Sequence, residues 1–118
     1  MSVSVEDIIY NTKEIMDNIP NYVVYYALKE HGMNWVKETT VEVMKACLAL
    51  RIMGFTITVE MLKELCGDKS SIYSILHRLG DYSVLTLIRD GKRKLRFIIN
   101  PNFVEMLKLP EYMIERLP

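Results

Sequence analysis

Residues 57–101 read ITVEMLKELCGDKSSIYSILHRLGDYSVLTLIRDGKRKLRFIINP, and this stretch decides the fold. Thr58 is a favourable N-cap, and Val59, Met61, Leu62 and Leu65 give a short helix its inward side before Cys66-Gly67 ends it. Asp68 can accept from the free amides of a following first turn. Ile72, Ile75, Leu76 and Leu79 then fall at i, i+3, i+4 and i+7, the single apolar stripe of a helix predicted over 68–79. Its other face reads Ser70, Ser71, Tyr73, Ser74, His77 and Arg78, and no acid lies between Lys69 and Gly80. A solvated helix face ordinarily mixes signs, so the missing acids set this face apart.

After Gly80 the period changes from helical to two. Residues 84–89 and 92–99 are β-rich runs around Asp90-Gly91, a strong hairpin signal. A two-residue Asp-Gly turn opposes Arg89 to Lys92 and mixes Leu85 and Leu87 with Lys94 and Arg96 on one face. A three-residue turn, Arg89-Asp90-Gly91 with Gly91 left-handed in a bulge, opposes Leu85 to Leu95. It gathers Leu85, Leu87, Leu95, Phe97 and Ile99 on one face, and period-2 registry favours it. Lys92, Lys94 and Arg96 then line the other face, with Arg93 near the tip.

Upstream, a helix starts at Thr39 or Thr40, where Thr39 and Glu42 have capping-box spacing. Val43, Met44, Cys47, Leu48, Leu50 and Ile52 supply its apolar side, and Gly54 suits the position just past its end. Residues 55–57 allow only a strand stub. Two more helices open the chain. The first carries apolar residues at near-helical spacing from Val5 to Ile19, with Thr12 the polar exception and Ser4 and Asp7 as a cap pair. The second runs from about Pro20 to His31 and bears Tyr22, Val23, Tyr25, Tyr26 and Leu28, apolar on more than one face, so a second surface is needed to cover it. Downstream, a helix from about Asn102 to Leu109 and a short one begun by Pro110 complete the chain.

From Thr39 the order is helix, strand stub, helix, tight turn, helix, basic hairpin. Over about residues 39–100 this resembles the winged helix-turn-helix superfamily, in the manner of MarR-like, ArsR-like and archaeal regulators. The resemblance implies a mostly α fold with a small β-hairpin wing. It makes 59–66 the positioning helix, 68–79 the recognition helix in the major groove and 85–99 the wing on phosphates. The chain departs from the families at Met61 and Leu62, near a point where they carry a small residue. It departs again at Tyr82-Ser83-Val84, where they carry a Gly-Leu or Gly-Ile pair.

The expected function is that of a sequence-specific double-stranded DNA-binding protein and transcriptional regulator. Its DNA-binding residues are Lys69, Ser70, Ser71, Tyr73, Ser74, His77, Arg78, Arg89, Lys92, Arg93, Lys94 and Arg96. Short serines let the backbone approach and can donate to phosphate or base edges, whereas the wing cations need only their charge. In MarR-like proteins flanking terminal helices build a two-fold interface. By that resemblance residues 1–38 and 101–118 flank the core at 39–100, and a homodimer forms around Tyr22, Tyr25 and Tyr26. The rival expectation is a winged-helix adaptor that binds protein in a transcription, replication or membrane-remodelling assembly.

Charge distribution bears on the choice. The chain of 118 residues has 15 basic and 15 acidic side chains. Residues 1–68 hold six of the basic and ten of the acidic ones, whereas residues 69–96 hold seven basic residues against Asp81 and Asp90 alone. Such asymmetry can mark a polyanion-binding face, while zero net charge and an acidic first half suit an adaptor. Twelve isoleucines and no glutamine fit an archaeal or viral regulator from a hot environment.

Length and composition predict one globular domain spanning 1–118. No apolar run is long enough for a membrane span, and no secretory signal opens the chain, so a cytoplasmic location is expected. Cys47 and Cys66 lie outside any CxxC or Cys/His cluster and read as small buried hydrophobes. There is no GxGxxG, P-loop, HExxH or GxSxG, so neither an enzyme nor a cofactor is expected. His77 has no second ligand within helical reach, and His31 beside Gly32 suits a helix C-terminus, so no metal site is expected either.

Overall fold

The computed structural model describes residues 4–68, 70–91 and 94–117. The described chain is mostly helical with one antiparallel hairpin. In order it forms α1 (Val5–Asn18), α2 (Asn21–Glu30), α3 (Glu38–Ile52), α4 (Val59–Cys66), α5 (Ile72–Asp81), β1 (Leu85–Asp90), β2 (Lys94–Ile99), α6 (Pro101–Val104) and α7 (Glu111–Ile114). No described helix is long and apolar enough to cross a membrane.

α3 is the axis of the molecule. Thr40, Val41, Val43, Met44, Ala46, Cys47, Leu48, Ala49, Leu50 and Ile52 are all buried, more than one face of a helix can hold. The helix is therefore enclosed, with α1, α2, α4 and α5 packed around it. It starts at Glu38, and Lys37 precedes it without a side-chain cap, so the expected Thr39 capping box does not form. Thr40 is buried in the first turn. One hydrophobic core runs from Met16 to Leu117 and takes residues from both ends of the chain.

α1 begins as expected, with the Ser4 hydroxyl accepting from the Asp7 amide at 3.1 Å. Thr12 is fully buried, and its hydroxyl donates to the Ile8 carbonyl at 2.7 Å, which removes the cost of placing it on the apolar side. Thr58 caps α4 by accepting from the Met61 amide at 3.3 Å.

The helix expected over 68–79 is displaced toward the C-terminus. Asp68 does not cap it. Its carboxylate lies 3.7 Å from the Lys63 ammonium, residues 70–71 form a turn, and α5 starts at Ile72. Gly80 lies inside α5. The helix ends through Ser83, which takes a left-handed φ of 59° while its amide donates to the Gly80 carbonyl and the Val84 amide donates to the Leu79 carbonyl. This is a Schellman ending built on serine. Gly54 ends α3 by the same pair of hydrogen bonds, Gly54 N–H to Arg51 and Phe55 N–H to Leu50.

The hairpin corrects the expected register. Leu85 opposes Ile99 rather than Leu95, Leu87 opposes Phe97, and Asp90 opposes Lys94, which leaves residues 91–93 as the connection. The slip is an even number of residues, so Leu85, Leu87, Leu95, Phe97 and Ile99 still share one face. The observed register pairs six residues of each strand, whereas the expected one would leave Ile99 opposite helical Asp81. Gly91 is left-handed, as expected, with φ of 74°. The strand stub reduces to a single bridge, in which the Phe97 amide donates to the Ile57 carbonyl at 3.1 Å.

The helix expected over 102–109 is only the single turn of α6. Leu107 and Leu109 are both buried, and a helix would turn residues two apart to nearly opposite sides. The segment instead runs irregularly into α7, held down by Phe103, Val104 and Met113 in the core.

Candidate nucleic-acid interface

The fully buried Ile72 and Leu79 fix the rotation of α5. Ser74, His77 and Asp81 are thereby turned outward, Ser70 and Ser71 are exposed in the turn before the helix, and Tyr73 stands beside them 49% exposed. The first turn of α5 has no side-chain cap. Asp81 places one carboxylate at the far end of this face.

Arg78 lies on one flank. Its guanidinium donates to the carbonyl of Trp35 in the α2–α3 loop and sits 6.0 Å from the Tyr82 ring centroid. Arg78 is thus half-buried and held toward the loop, not directed along the serine face. The other flank meets the hairpin across a cleft of about 150 Å3, lined by Tyr73, Leu76, His77, Leu85, Leu87, Leu95 and Phe97. Leu87 remains 41% exposed there.

Among the hairpin cations, Arg89 is exposed on β1. Arg96 is half-buried on the face away from α5, beside Arg51 and Thr56. Lys94 stands in β2 opposite Asp90. Lys69, Lys92 and Arg93 lie outside the described residues. Three residues join the site that sequence reading missed. Lys63 of α4 brings its ammonium 5.6 Å from the Tyr73 ring centroid, and Lys37 sits 5.0 Å from that of Trp35. None of them is signalled by local spacing, because Lys63 and Tyr73 meet only through the α4–α5 packing.

The tyrosines of α2 divide. Tyr22 is 66% exposed and Tyr26 60%, whereas Tyr25 is half-buried and meets the edge of Tyr26 with ring centroids 5.4 Å apart. Shallow grooves run on both sides, one bounded by Val36, Glu38 and Val41, the other by Ala27, Glu30 and Met106. Among the described residues no cluster of His, Cys, Asp or Glu could hold a metal ion. No family model, curated protein or solved structure matches this chain.

Proposed function

We propose that this chain is a winged-helix protein that binds double-stranded DNA in a sequence-specific way, as a homodimeric intracellular transcriptional regulator. The observation that carries the reading is the outer face of α5. It offers Ser74 and His77, with Ser70 and Ser71 in the exposed turn just before it, on a helix slim enough for the major groove. Arg89, exposed on β1, supplies charge from the hairpin, and the Lys63 ammonium lies beside Tyr73. The left-handed Ser83 and fully buried Val84 also supply the backbone turn and apolar anchor that the superfamily obtains from a Gly-Leu or Gly-Ile pair.

A second reading, a protein-binding adaptor, is favoured by the apolar cleft between α5 and the hairpin. Leu87 and Tyr73 leave hydrocarbon exposed there, which phosphates would not cover. Amide-shift mapping with a random-sequence duplex tests the choice. DNA binding predicts the largest shifts at residues 70–81 and along the hairpin. Unshifted amides in both elements at low salt would contradict it and leave the adaptor reading.

A further inference from the structure

The loop between α2 and α3 carries Trp35, the single tryptophan of the chain, and leaves it 65% exposed. The loop is nevertheless held firmly. Lys29 donates to the Asn34 carbonyl at 3.0 Å from α2, and Arg78 donates to the Trp35 carbonyl from α5. Its backbone is thus fixed on two sides while the largest aromatic side chain stays in water, although indole gains most from burial. Lys37, over the indole, adds a third cation.

Charge selects the occupant. Lys29, Lys37 and Arg78 gather around Trp35. The acids nearest in sequence, Glu30 and Glu38, line the grooves beside Tyr22 and Tyr26. In a two-fold contact whose axis passed through Trp35, the cations around it would be brought onto their own copies. A polyanion is the complementary surface. Arg78 also ties the loop to α5 on the flank opposite the one where Tyr73 and His77 meet the hairpin.

We infer that the Trp35–Lys37 loop is a second backbone grip on duplex DNA, across α5 from the hairpin, with Trp35 packed on sugar and Lys37 facing phosphate. The inference rests on the DNA-binding reading above, and the two can fail separately. Trp35 emission, followed as a random-sequence duplex is added at low salt, reads the loop directly, and end-labelled duplex reads binding as a whole. The expected results are a saturable change in Trp35 emission and a log–log salt slope flattened by about 0.9 in Lys37→Ala. Lys45→Ala removes the same charge from α3, where Lys45 holds Asn21, and should leave the slope unchanged. Intact duplex binding with unchanged emission, or equal slopes for Lys37→Ala and wild type, overturns the grip and spares the DNA-binding reading. Equal flattening by Lys45→Ala does the same, since the effect would then be one of net charge. Absence of duplex binding overturns both.

Discussion

Ser83 holds a backbone conformation that costs an L-residue about 1–2 kcal/mol relative to glycine's freedom there. Ser83→Gly should therefore stabilise the fold by about 0.5–1 kcal/mol after glycine's own entropy is offset, read as a higher urea midpoint with unchanged slope. A lowered midpoint would show that the serine has a compensating role. Cys47 sets a second residue-scale expectation. Burial, then the nearby Cys66, pushes its thiol well above the ordinary value of 9.0. The unfolded chain gives up this proton above that pH and the folded chain does not, so the contribution is complete below it and falls as pH rises. The loss is at most about 1.4 kcal/mol per pH unit. The stability margin of wild type over Cys47→Ala should shrink by about 1.4 kcal/mol between about pH 8 and pH 10 in paired urea titrations. At this scale, caps such as Ser4 and Thr58 were legible because a cap is local chemistry. Ser83 was not, since nothing in its neighbours marks a left-handed serine.

At the scale of elements, α1, α2 and α4 follow from apolar spacing and punctuation. α3 is only half legible: its spacing names one apolar side, and the all-round burial is imposed by four neighbours. The start of α5 is not legible in the sequence because Asp68 has two possible uses, as a cap or as a partner for Lys63, and only the packing of α4 decides between them. The hairpin faces were legible and the pairing was not, because an even slip preserves every face. For the candidate site, the serine face of α5 is written in the sequence. The inward hold on Arg78 and the arrival of Lys63, Trp35 and Lys37 are tertiary. The hairpin gives the prediction proper to this scale. If its cations face phosphate, replacing Lys92 and Lys94 by alanine should weaken binding equally on all DNA sequences. It should also flatten the salt slope by up to about 2. A sequence-dependent loss with an unchanged slope would assign them to bases instead.

At the scale of the molecule, Tyr22 and Tyr26 stand exposed beside grooves lined partly by apolar side chains. A closed two-fold pairing would cover them and space two α5 helices about 34 Å apart, one turn of DNA. Light scattering should then give a mass of about twice 13.8 kDa, and Tyr22→Glu with Tyr26→Glu should yield monomers with weakened DNA affinity. A wild-type monomer at tens of micromolar would refute the pairing. The central claim, that this fold serves a polyanion, is tested most directly by the anisotropy of a labelled random-sequence duplex titrated with wild-type protein across a salt series. The account predicts binding at low salt that falls linearly on a log–log plot, with a slope of about −0.9 for each phosphate contacted. A flat line, or no binding at the lowest salt, would contradict it.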